Sequence, residues 1–95
     1  MREFYIYILR CRDESYYTGQ TSDVESRIDT HKLGIIKSCY TYKRRPLELV
    51  YVAALPTRKD AFAVERQIKN WSRKKKEALI LGKFDLLQVF SKKKF

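Results

Sequence analysis

YIYILRCRDESYYTGQTSDVESRIDTH, from Tyr5 to His31, reads as a strand, a polar turn, a returning strand and a helix. Phe4 to Leu9 is aromatic or aliphatic at every position, so both faces of this strand need cover, which makes it the central strand of a sheet. Arg12, Asp13 and Glu14 supply the turn, and Ser15 to Thr18 returns as a second strand ended by Gly19. With a three-residue loop Leu9 opposes Tyr17 and Tyr7 opposes Gly19, which places both tyrosines on one face as diagonal neighbours. A slip of one residue would separate them. The missing side chain at Gly19 leaves room opposite Tyr7 for a ligand's backbone to approach. Spacing alone serves two ordinary core tyrosines equally well.

Ser22-Asp23-Val24-Glu25 has the pattern of a capping box, so a helix is expected from about Asp23 to Lys32 or Leu33, stopped by Gly34. Val24 and Ile28 face the core. Arg27 and His31 lie one turn apart on a neighbouring stripe and reach a common point beside the sheet. A guanidinium fork suits phosphate oxygens, and an imidazole takes or gives a proton near neutral pH. The same pair also fits a solvated helix face.

Beyond the helix, Ile35 to Pro46 is irregular and basic, with Lys37, Lys43, Arg44 and Arg45 among Tyr40 and Tyr42. Basic residues between aromatics track a phosphate backbone and stack on exposed bases, although a solvated loop has the same composition. Leu47 to Ala53 reads as a third strand with Pro46 at its edge. Thr57-Arg58-Lys59-Asp60 caps a helix whose buried stripe is Ala61, Val64, Ile68 and Trp71. Glu65 falls on that stripe, with its carboxylate directed toward the sheet. A carboxylate there needs a metal ion, a cationic partner such as Arg27, or a proton. Ser72 caps a last helix through Ile80, ended by Gly82. Its first turn carries Lys74, Lys75 and Lys76 against the helix dipole, which suits either a phosphate-facing surface or a merely soluble one. Phe84 to Phe90 reads as a short apolar cover, followed by a basic tail, Ser91 to Phe95.

The 95 residues form one domain, with the motif-bearing core at about 4–81 and one modest hydrophobic core. Twenty-one Lys and Arg against 11 Asp and Glu give +10, which points to a polyanionic partner, with nucleic acid first and no membrane segment. Cys11 and Cys39 are too few for a disulfide scaffold and suit a reducing cytoplasm. Nothing at the N-terminus reads as an export signal.

Tyr5-Ile6-Tyr7 and Tyr17-Thr18-Gly19, followed by Arg27, His31 and a helical Glu65, resemble the ordered motif set of the GIY-YIG nuclease family, over about Phe4 to Ile80. The likeness is to its small stand-alone bacterial members. It implies an α+β fold, a three-stranded antiparallel sheet flanked by helices, and a metal-dependent DNA endonuclease that hydrolyses phosphodiester bonds without a covalent intermediate. It also implies that Glu65 holds Mg2+ or Mn2+, that Arg27 neutralises developing phosphoryl charge, and that a tyrosine helps deprotonate the attacking water. Tyr7, with His31 taking up its proton, is the expected base, and Tyr17 orients water or phosphate. The reversed assignment stays open. Lys37, Lys43, Arg44, Arg45, Lys74 and Lys75 are the expected nucleic-acid contacts. Cleavage is expected to be structure-selective or weakly specific, with a place in DNA repair or recombination or a protein partner that supplies specificity. Four positions depart from the family pattern: Tyr5 for glycine, Thr18 for isoleucine, and Gln20 and Glu77 where some members carry lysine and asparagine. The alternative is a module that binds DNA or RNA without cutting it.

Overall fold

The computed structural model describes residues 3–83; the apolar cover and basic tail expected after Phe84 lie outside the described residues. Strands β1 (Phe4–Arg10), β2 (Tyr16–Thr21) and β3 (Glu48–Leu55) form an antiparallel sheet in the order β2-β1-β3. Helices α1 (Val24–Leu33), α2 (Arg58–Lys69) and α3 (Arg73–Ile80) complete it, giving the expected α+β class. The central place of β1 explains its composition. Ile6, Tyr7, Ile8 and Leu9 are all wholly buried.

Alternation along β1 sends these four side chains into two different cores. Ile6 and Ile8 pack with Leu55 of β3, with Ala61, Val64 and Ile68 of α2, and with Leu79 of α3. Tyr7 and Leu9 face the other way and pack with Cys11, Ile28 of α1 and Leu47. Each fully buried aliphatic side chain of this kind contributes roughly 1.5–3 kcal/mol of transfer free energy. The sheet is therefore held from both sides, and the tyrosine face is the one that α1 covers.

The hairpin has the register that the spacing predicts, with Tyr7 opposite Gly19 and Leu9 opposite Tyr17. Its turn is closed by the Glu14 N–H donating to the Cys11 carbonyl at 2.8 Å, with Glu14 itself at φ 68°. Asp13 steadies that strained position by accepting from both the N–H and the hydroxyl of Ser15. Asp23, one residue after Ser22, caps α1 by accepting from the Ser26 N–H at 3.1 Å. Gly34 ends the helix at φ 67°, a conformation that side chains rarely adopt. Thr57 and Ser72 cap α2 and α3 through the N–H groups of Asp60 and Lys75.

The segment between α1 and β3 is anchored to the hairpin. Arg12 donates its N–H to the Arg44 carbonyl at 2.8 Å, and the Arg44 guanidinium pairs with Asp13 at 3.1 Å. Arg44 also donates to the Tyr40 carbonyl, and Tyr42–Arg44 forms a turn of 3-10 helix. This pinning carries Cys39, Tyr40 and Thr41 over the tyrosine face.

Candidate active site

The site begins with the Tyr7 ring lying across Gly19. A Cβ placed on Gly19 would stand 2.4 Å from the Tyr7 hydroxyl oxygen and 2.5 Å from Cζ. The expected room for a ligand opposite Tyr7 is thus taken up by the tyrosine's own ring. In that position the Tyr7 hydroxyl is 2.8 Å from Nε2 of His31. His31 sits in the last turn of α1, 5% exposed, and its other nitrogen, Nδ1, lies 2.9 Å from the Thr41 hydroxyl. Thr41 donates in turn to Sγ of Cys39 at 3.4 Å.

Tyr17 lies on the same face, 6.3 Å from Tyr7 between ring centroids, with its ring edge-on to His31 at 5.2 Å. Tyr40 stacks on it from the outside at 6.2 Å. One turn before His31, the exposed Arg27 brings its guanidinium near enough to the Tyr7 hydroxyl to oppose the rise in its pKa. Tyr7, Tyr17, Arg27 and His31 therefore form one cluster, as their spacing predicts. Burial raises the Tyr7 phenol well above its ordinary pKa, Tyr17 adds to that, and Arg27 opposes it. Burial lowers the His31 pKa, and Arg27 lowers it further. Both groups rest neutral, as a phenol bonded to an imidazole.

Glu65 comes to the cluster around the edge of the sheet. Its helix packs across β2 and β1, and the carboxylate is near enough to raise the Tyr17 pKa, after burial and Cys39. Its side chain is 14% exposed, on the margin of the buried stripe. Its cationic partner is Lys69, one turn on at 3.1 Å, and not Arg27. The Lys69 ammonium is half exposed and lies 5.9 Å from the Tyr17 ring. A cavity of about 310 Å³ opens here between Tyr16, Tyr17, Thr18, Tyr40, Lys69 and Lys76, with no acidic residue in its wall. Burial lowers the pKa of Lys76, a cost that a bound anion would offset. A wider cavity beside α1 is lined by Asp23, Glu25 and Asp29 and repels phosphate.

The donor set bears on whether Glu65 could hold a metal ion. Among the described residues no three His, Cys, Asp or Glu side chains come together to hold an ion. A site of that kind excludes an all-protein cage and suits Mg2+ or Mn2+, which keep waters and take oxygens from a substrate phosphate. Glu77 and Asn70 supply no second ligand at this place. Glu77 accepts from the Tyr16 hydroxyl and pairs with Arg73, both at 3.1 Å, while Asn70 donates to the Arg66 carbonyl.

The expected nucleic-acid contacts divide into two kinds. Lys37, Lys43, Lys74 and Lys75 are exposed, Lys75 lying over the Trp71 ring at 4.6 Å. Arg44 and Arg45 are half buried and committed internally. Arg44 holds Asp13 and lies 3.8 Å over Tyr40, and Arg45 donates to the Tyr42 carbonyl and lies against Gly34. Thr41, Cys39 and Lys69 are the residues of this cluster that sequence reasoning missed, while Lys76, read with Lys74 and Lys75 as one face of the last helix, lines the cavity. Thr41 and Cys39 belong to an irregular segment with no periodicity, and only the position of Lys69 one turn after Glu65 was readable.

Comparison with known proteins agrees with this geometry. The model of the GIY-YIG catalytic domain matches residues 3–78. The UPF0213 protein SH2523 of Staphylococcus haemolyticus is 42% identical over 80 residues, covering 84% of this chain and 96% of its own. Two solution NMR structures share the fold. The UPF0213 protein BH0048 from Bacillus halodurans is 44% identical with a TM-score of 0.54, covering 82% of each chain. The protein EF2693 from E. faecalis is 33% identical with a TM-score of 0.60, covering 84% of each. No helix among the described residues is long and apolar enough to cross a membrane. The family model spans both strands of the hairpin, α1 and α2, the elements that carry Tyr7, Tyr17, Arg27, His31 and Glu65, and the chain belongs to the GIY-YIG family of nucleases, whose domains act on nucleic acid.

Proposed function

We propose that this protein is a metal-dependent endonuclease that hydrolyses phosphodiester bonds in DNA. The observation that carries this reading is the 2.8 Å bond between Tyr7 and the neutral, buried His31, beside Arg27 and around one edge of the sheet from Glu65. A protein that only binds nucleic acid has no need of a phenol–imidazole pair or of a carboxylate inside a basic surface. Glu65 is the residue that would hold Mg2+ or Mn2+, in place of its bond to Lys69. When bound, such an ion polarises a phosphoryl oxygen of the substrate.

Arg27 exchanges the Tyr7 hydroxyl for a phosphate oxygen, for which its planar fork is suited, and in doing so uncovers the phenol. Tyr7 then takes the proton of the attacking water as its own passes to Nε2 of His31. Tyr17, partly exposed at the cavity, orients the water or the phosphate. Its partial exposure favours the reversed assignment of the tyrosines, but Tyr17 makes only an edge contact with the imidazole, and the group beside its hydroxyl is the Cys39 thiol, a much weaker proton acceptor than a neutral imidazole. Lys37, Lys43, Lys74 and Lys75 supply phosphate contacts, with Arg44 and Arg45 acting mainly by holding the segment between them. Phosphate contacts of this kind carry no base readout, so cleavage is structure-selective or weakly specific, which suits a role in DNA repair or recombination.

The test is a cleavage assay on single-stranded, duplex and branched DNA and on RNA, with Mg2+, Mn2+ or a chelator. Cutting of at least one DNA form, abolished by the chelator, is the expected result. Binding without cleavage of any substrate would leave a binding module.

A further inference from the structure

Two bonds at the far side of His31 have no part in the chemistry just described. Thr41 is 1% exposed, and its hydroxyl lies between Nδ1 of His31 at 2.9 Å and Sγ of Cys39 at 3.4 Å. We infer that Thr41, held by Cys39, is a positioning residue that fixes His31 as the Nδ1–H tautomer, so that Nε2 is left as the acceptor for the Tyr7 proton. The importance of this for catalysis rests on the nuclease reading, whereas the tautomer itself does not.

Counting hydrogens separates the two arrangements. In the first, Nδ1–H donates to Thr41, the Thr41 hydroxyl donates to Cys39, and the Tyr7 hydroxyl donates to Nε2. The hydrogens of His31, Thr41 and Tyr7 then each have an acceptor, and the Cys39 thiol, which also lies 3.8 Å from Nδ1, serves as the acceptor for Thr41 while its own weakly donating hydrogen turns away from the ring. In the second, Nε2–H donates to Tyr7 and Thr41 turns its hydrogen onto Nδ1. The Tyr7 oxygen would then accept from His31 beside the Arg27 guanidinium, which offers no acceptor, and its own hydrogen would be stranded on a residue with no solvent exposure. Buried donors are almost always paired, so the first arrangement is selected. The bond made by one ring nitrogen sets the protonation of the other. Free imidazole side chains favour the Nε2–H form, so the protein inverts the intrinsic preference, and Thr41 is the residue that does so.

His31 is the only histidine, so a long-range proton–nitrogen NMR spectrum of the labelled protein contains a single imidazole. Recorded at a pH well above the His31 pKa, the wild-type spectrum should show a pyrrole-type Nδ1 and a pyridine-type Nε2. Thr41→Val, close in shape, should move the ring to mainly Nε2–H, and Thr41→Ser should restore the wild-type pattern. Cys39→Ala frees the Thr41 hydrogen to turn onto Nδ1 and should shift the ring the same way without touching Thr41. A wild-type ring in the Nε2–H form overturns the inference, even if the valine variant fails to fold. So does a Thr41→Val spectrum that matches wild type. In single-turnover cleavage Thr41→Val should be slower by about tenfold or more, a part of what base catalysis supplies, with serine recovering the rate. If the wild type cuts no substrate, the nuclease reading fails while the spectrum still decides the tautomer. If it cuts and the tautomer ignores Thr41, the inference alone fails.

Discussion

Gly19→Ala tests the geometry on which the site depends. The backbone at Gly19 is not in the left-handed region, so an alanine meets no conformational penalty, and the requirement for glycine is purely steric. The new Cβ would fall 2.4 Å from the Tyr7 oxygen, 2.5 Å from Cζ and 2.9 Å from Cε2. All three belong to a wholly buried ring that cannot swing into solvent. Forcing such a ring aside costs about 1–3 kcal/mol, and loss of its bond to His31 adds about 1 kcal/mol. The sum, about 2–4 kcal/mol, lowers the midpoint of thermal unfolding by roughly 10 °C or more in a domain of this size. The assay is urea unfolding of a double-mutant cycle with Tyr7→Leu, which removes all three clashing atoms. Gly19→Ala should be nearly neutral in the leucine background and costly in the wild type. An equal cost in both would refute the steric account of Gly19.

In single-turnover cleavage, Tyr7→Phe should lower the rate by about a hundredfold or more with little change in affinity. A wild-type rate for Tyr7→Phe beside a dead Tyr17→Phe would reverse the two roles. Because the folded His31 has a lowered pKa and accepts as the neutral form, the wild-type rate should hold at neutral pH and fall as pH drops through that lowered value. His31→Ala should move the decline to higher pH, since Tyr7 alone loses its proton only in strong alkali. The same shift has a stability consequence with a fixed sign. The unfolded chain binds the His31 proton more tightly, so this contribution is fully present above about pH 6.5 and is lost as pH falls through the folded value. With about five phosphates contacted, the log-log salt slope on duplex DNA should be roughly −4 to −5. Lys43→Ala should make it shallower without loss of stability, whereas Arg44→Ala should also destabilise the fold by freeing Asp13 and Tyr40.

The hairpin register, the helix bounds and the meeting of Tyr7, Tyr17, Arg27 and His31 were legible because each rests on a short-range rule. Alternation fixed the faces of the strands, Gly34 fixed the end of α1, and a four-residue step placed Arg27 above His31. Glu65 lies at the margin of the stripe on which it was expected, 14% exposed, and the sheet edge at β2 brings it Lys69 as its cationic partner in place of Arg27. Irregular structure hid the rest. Arg44 and Arg45 read as free cations because nothing in their spacing reveals that the hairpin turn and Gly34 lie beneath them. Thr41 and Cys39 were silent for the same reason, because a loop carries no period and its contacts are set by where Arg12 and Asp13 hold it.

Glu65→Gln, compared with wild type in cleavage, DNA binding and unfolding on the same preparations, tests the central claim most directly. The lost pair joins a carboxylate that is only 14% exposed to a half-exposed ammonium that regains water when its partner is neutralised, so stability should change by about 1 kcal/mol or less. Cleavage in Mg2+ or Mn2+ should be abolished while DNA affinity, measured without metal, stays near wild type. A Glu65→Gln protein that still cuts DNA in Mg2+ at the wild-type rate would contradict the account, and a loss of about 3 kcal/mol or more in stability would make Glu65 a structural ion-pair partner.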